Sequence, residues 1–104
     1  MGSVHAAALR FDLHVPESRS LKARRAAIRP IIDGLRHRLH CSVAEIGYQE
    51  QWQRAEIGVA LVAESDGQLS RLIDSVERFV DAAADVEVLE MEVVHLDNEG
   101  TLET

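Results

Sequence analysis

The chain of 104 residues predicts an α+β fold of the ferredoxin-like type, a four-stranded antiparallel sheet with two helices on one face. Three observations lead there. Four segments show strand-like character and two carry apolar residues at helical spacing. Their order along the chain is β-α-β-β-α-β.

The first strand spans Val4 to Val15, with Ala7, Leu9, Phe11 and Leu13 on one parity and Ala6, Ala8, Arg10 and Asp12 on the other. Pro16, Glu17 and Ser18 end it. A helix follows from Ser20 to Arg38, drawn by Leu21, Ile28, Ile31, Ile32, Leu35 and Leu39, with Ser18 or Ser20 placed to cap its start through a hydroxyl. Pro30 cannot donate to the carbonyl of Ala26, which predicts a bend or a local break. CSVAEIGY, residues 41–48, is rich in strand formers, and AEIGVALVAE, residues 55–64, reads as a third strand with Ile57, Val59 and Leu61 on one face. Between them QEQWQR is polar except for Trp52.

SDGQ then offers Ser65 and Gln68 as a capping box, and Leu69, Leu72, Ile73, Val76, Phe79, Val80 and Ala83 mark an amphipathic helix to about Ala84. Val86 to Leu96 is the fourth strand, with Leu89, Met91 and Val93 opposing Glu90 and Glu92. In this topology the first strand lies between the third and the fourth. The helix-free face then centres on Ala6, Ala8, Gly58, Ala60 and Val62, with Arg10, Glu90 and Glu92 around them. A flat surface of that kind suits another sheet or a second subunit, and a homo-oligomer is expected.

Hydrophobic residues make up 46% of the chain, and the length is that of one compact domain. Residues 1–97 are read as that domain and 98–104 as a frayed tail. The amino-terminal VHAAALRFDL has charge where a leader needs an apolar run, and no apolar run is long enough to span a bilayer. The expected setting is cytoplasmic, with no membrane contact. Met1-Gly2 is followed by Ala6 where myristoylation favours Ser or Thr. Cys41 is the only cysteine, which excludes an internal disulfide and fits a reducing compartment.

Charge is the most informative feature. The net charge is -7, yet residues 19–38 hold seven of the eleven Lys and Arg and a single acid, Asp33. At 100° per residue Lys22, Arg25, Arg29 and Arg36 fall within about 60° of one another, a cationic stripe beside the apolar one. Arg19, Ser20 and Lys22 gather at the helix start, where free N–H groups and the positive end of the dipole favour an anion. Arg19, Ser20, Lys22, Arg25, Arg29 and Arg36 are therefore candidate contacts to phosphate or RNA. Two blander readings stand beside this one: a solvated face, or pairing with acids of the other helix or of a second subunit. The sheet has Ala and Gly where base-stacking sheets carry aromatics, so any RNA contact falls to the helix.

Trp52 and Arg54 are candidate partner-interface residues, since Trp and Arg are enriched at binding hot spots. A packed indole at the sheet edge is the alternative. HRLHC at the first helix end, and His5 set against His95, offer too few ligands for a metal site, and neither metal nor other cofactor is expected. No nucleophile with a base, carboxylate pair or glycine-rich phosphate loop has a recognisable spacing, which points to a noncatalytic protein. A phosphate-chemistry enzyme using Arg19 or Arg25 with a polar residue of the 48–54 loop is the third possibility. The loop HVPESRSLK, however, lacks the glycine-bearing cradle that acylphosphatases of this fold place there.

SLKARR, SVAEIGYQEQWQRAEIGVALV and the element order together resemble the YlxP-like family of small bacterial proteins of unknown function. The resemblance covers nearly the whole chain and rests on Ser20, Leu21, Lys22 and Arg25, on Ser42 to Glu45, and on Trp52 to Ala55. Position 24 is Arg where the family motif more often has Lys, and HC stands before SVAE in place of an asparagine-containing form. The resemblance implies a ferredoxin-like fold. Through the placement of its genes beside translation and ribosome-maturation genes, it also implies ribosomal RNA or a ribosome-associated protein as partner. It implies no activity.

Overall fold

A computed structural model describes residues 2–96. The elements run β1 (His5–His14), α1 (Leu21–His37), β2 (Ser42–Gly47), β3 (Arg54–Ala63), α2 (Asp66–Asp81) and β4 (Glu87–Leu96). The strands pair antiparallel in the order β2-β3-β1-β4, so the first strand lies between the third and fourth as the ferredoxin-like topology requires. Residues 97–104, including the expected tail, lie outside the described residues.

Alternation builds one core between the sheet and the helices. Leu9, Phe11 and Leu13 of β1 and Ala55, Ile57, Val59 and Leu61 of β3 meet Ile28, Ile31 and Leu35 of α1 and Leu69, Ile73, Val76 and Val80 of α2. Each helix starts where a serine satisfies a free backbone donor. Ser20 accepts from the Ala23 N–H at 3.0 Å and Ser65 from the Gln68 N–H at 3.1 Å. Ser18, buried in the preceding turn, donates its hydroxyl to the Ser20 carbonyl.

Two expectations change. The helix runs unbroken through Pro30, because Ala26 and Pro30 both lie on its exposed side, where water can take the hydrogen bond that proline cannot give. Leu89 does not join Met91 and Val93 on the core side. The register of β1 with β4 shifts between Asp12 and Leu13, so that Val88 stands opposite Leu13 and the extra residue, Leu89, is left exposed.

A second shift lies between Glu45 and Gly47; Ile46, on the parity of Ser42 and Ala44, stands on the helix-free face, where it approaches Gly58. After α1 the chain reverses through His40 at φ 58°, a left-handed conformation that asparagine and glycine adopt at lower cost. The Cys41 N–H then reaches the Leu35 carbonyl at 2.8 Å, and β2 begins.

The helices approach each other at Gly34. A Cβ there would stand 2.1 Å from Cζ of Phe79, so the absence of a side chain is what admits the ring. Arg38 lies over the same ring, 5.7 Å from its centroid.

Candidate functional site

The inward stripe of α1 is Arg24, Ile28, Ile31, Gly34 and Leu35, all buried. Rotating away from it, the helix exposes Lys22, Arg25 and Arg29, which with Ala26, Pro30 and Asp33 line a shallow concavity of about 430 Å³. Arg36 lies further along the same stripe, beside a smaller depression shared with Arg25, Arg29 and Glu45. The structure thus brings Lys22, Arg25, Arg29 and Arg36 onto one face, whereas Arg19 is exposed before the helix start. Among the described residues, the side chains of Arg19, Lys22, Arg25 and Arg29 make no hydrogen bond or ion pair. The alternative pairing with acids of the second helix is not seen among the described residues: Asp66 at the start of α2 meets His5, at 3.1 Å.

Arg36 differs from the other three. Its guanidinium donates to the Val43 carbonyl at 2.8 Å, which ties the end of α1 to β2 and leaves only part of the group available. Ser20 also has a structural task, since its hydroxyl is occupied as the helix cap.

The loop carrying Trp52 lies against the start of this face. Gln53 donates its amide to the carbonyls of Pro16 at 3.3 Å and Ser18 at 3.2 Å, and its own carbonyl accepts from the Val15 N–H at 2.9 Å. Trp52 is 54% exposed, an unusual position for so large an apolar group. Arg54, its predicted companion, is committed within the chain. It forms a two-pronged contact with Asp12 (2.8 Å to each oxygen) and lies over the Tyr48 ring at 4.4 Å. The carboxylate of Asp12 holds the Arg54 guanidinium more firmly protonated than usual. Of the two predicted interface residues, only Trp52 presents its side chain outward.

One residue of the basic run acts in the opposite sense. Arg24 is 2% exposed; its Nε donates to the Arg54 carbonyl at 2.8 Å and its terminal nitrogen pairs with Glu45 of β2. A guanidinium can serve partners in two directions at once, which the single ammonium of a lysine does less well. Sequence reasoning counted Arg24 in the basic run without assigning it a face. The spacing to Ile28, Ile31 and Leu35, at four, seven and eleven residues, was the signal that it belonged to the inward stripe.

The helix-free face carries a separate charged cluster. Arg10 reaches Glu56 of β3 and both Glu90 and Glu92 of β4, and these carboxylates, Glu56 foremost, push its proton affinity above the ordinary arginine value. Among the described residues no group of three or more His, Cys, Asp or Glu side chains could hold a metal ion. His95 stands opposite Ala7, two residues beyond His5.

Cys41 is buried, and desolvation pushes its thiol above the ordinary value of 9.0. The folded chain therefore holds this proton more tightly than the unfolded chain. That contribution to stability is complete below pH 9.0 and is lost as pH rises past it. In urea titrations, replacing Cys41 by Ala should flatten this alkaline decline, and iodoacetamide at pH 8 should label Cys41 slowly in the native protein and quickly in denaturant.

Fold and site together define a small ferredoxin-like α+β domain with a cationic face on its first helix. The chain belongs to the DUF503 family, described as a protein family of unknown function, whose model matches residues 6–93. It is similar to the uncharacterized protein YlxP of Bacillus subtilis (strain 168), 35% identical over 68 residues that cover 65% of this chain and 74% of that protein. Among solved structures, the de novo designed protein Foldit4 matches with a TM-score of 0.55 at 14% identity, covering 92% of this chain and 99% of the other. That likeness shows the fold alone. No helix among the described residues is long and apolar enough to cross a membrane.

Proposed function

We propose that the protein is a noncatalytic RNA-associated domain that docks on phosphates, those of ribosomal RNA being the leading candidates, through the outward face of α1. The observation that carries this reading is the contrast among the arginines. Arg10, Arg24 and Arg54 are matched to carboxylates inside the fold, whereas Lys22, Arg25 and Arg29 line one concavity and, like the exposed Arg19, have no acid partner among the described residues. Unmatched cations on a rigid helix offer the fixed spacing that a phosphate backbone can use. The chain's net negative charge does not oppose this strongly, because at physiological salt a charge is felt over about 8 Å.

Fluorescence polarisation with ribosomal RNA fragments tests the proposal. The parent should bind with an affinity that falls steeply with salt. Combined Lys22→Glu, Arg25→Glu and Arg29→Glu should weaken binding by at least about 100-fold at low salt and lower the salt slope by about 0.7 for each lost single-strand phosphate contact. Urea stability should stay within about 0.5 kcal/mol per site, since all three side chains are exposed. Trp52, the only tryptophan, lies beside the start of α1, so its emission should change when RNA binds. Equal binding by the triple variant and the parent would overturn the proposal.

A further inference from the structure

We infer that the helix-free face of the sheet is a twofold interface with a second copy of this chain. The face is built from rows that the register places side by side. Ala6, Val62 and Leu96 form one row and Ala8, Ala60, Val94 and Ser42 the next, with Gly58 and Ala44 beyond them towards β2. Small residues at the centre leave a concavity of about 400 Å³, and Ile46 and Val94 stand at its border. Val62 is 70% exposed, and Ile46, Val94 and Leu96 are each more than 40% exposed. Hollow and projecting apolar groups thus lie next to one another on the same face. Self-complementarity is what a twofold contact needs, because each patch must meet itself.

Size favours a second copy as the occupant, and the charges admit one. With strands about 4.8 Å apart and a rise of about 3.4 Å per residue, two such faces bury on the order of 1,000 Å² in total, the lower edge of specific association. The polar end of the face, Arg10 with Glu56, Glu90 and Glu92, carries two more negative charges than positive ones. A twofold axis running across the strands near the Ala8–Ala60 row sets these clusters at opposite ends of the dimer, on the order of 20 Å apart, where salt screens their repulsion. An axis along the strands would stack them on each other. The dimer is therefore apolar at its centre and antiparallel, and it leaves α1 of both copies facing outward.

Sedimentation of the full chain over a range of micromolar concentrations tests this inference. The parent should form a dimer that persists from 50 mM to 500 mM salt. Val62→Glu should raise the dissociation constant at least tenfold while the thermal melt of the protein remains cooperative. Ala60→Lys, at another exposed position of the same face, is the second disrupting variant. In a Cys41→Ser background, Ala60→Cys should cross-link to itself under mild oxidation, and Glu92→Cys should not. A strictly monomeric parent, a dimer that dissolves in salt, or Val62→Glu and Ala60→Lys proteins that dimerise like the parent would each overturn the inference. The RNA reading stands or falls separately, because the Lys22, Arg25 and Arg29 substitutions should leave the dimer intact.

Discussion

Replacing Arg24 by Ala should lower the unfolding free energy by about 3 kcal/mol or more in urea titrations, the range seen when one partner of a buried ion pair is removed. The side chain is 3% exposed and joins three elements, pairing with Glu45 of β2 and donating to the Arg54 carbonyl of β3 from a position on α1. Truncation leaves Glu45 without its counter-charge and a backbone acceptor without its donor, both in a region largely closed to water. Glu45→Gln keeps the shape and removes the charge, and should cost about 2 kcal/mol because the guanidinium stays buried. Arg24→Met combined with Glu45→Leu should recover most of the loss, since an apolar replacement of both partners removes the desolvation cost along with the attraction. A loss below about 1 kcal/mol for Arg24→Ala would show that the pair is more hydrated than its burial indicates.

The second large effect is expected at Gly34. Gly34→Val should destabilise the protein by about 3 kcal/mol, since even a Cβ would overlap the Phe79 ring and the β-branch adds to it. Glycine in a helix interior ordinarily costs about 1 kcal/mol against alanine, so helix propensity alone predicts a gain on substitution. The sign of the measured change decides between propensity and packing. Phe79→Ala removes the obstruction, and in that background the cost of Gly34→Val should fall by more than about 1 kcal/mol. Additive losses in the double variant would mean that the backbone, rather than the ring, resists the new side chain.

Much of this architecture is legible in the residues themselves. The alternation of Leu9, Phe11 and Leu13, the helical spacing of Leu69, Ile73, Val76 and Val80, and the two serine caps are local patterns, and the structure follows each of them. The cationic stripe is equally local, because a helix sets the angles between its side chains without help from the rest of the chain.

Other features depend on partners distant in sequence. Leu89 faces outward because of a register shift against Asp12 and Leu13, some 76 residues away, which the alternation of the fourth strand does not contain. Arg54 reads as an interface residue beside Trp52 until Asp12 and Tyr48 are seen to hold it.

By itself, the sequence determined the element order, the core stripes, the helix starts and the gathering of cations on one helix, all of which follow from periodicities of two and 3.6 residues and from charge count. Tertiary structure alone decided which of these cations find an acid partner. Arg24 turns inward to Glu45, while Arg19, Lys22, Arg25 and Arg29 remain outward without an acid partner among the described residues. The physical reason is that a buried charge requires a counter-charge, and only folding brings Glu45 of β2 against the inward stripe of α1.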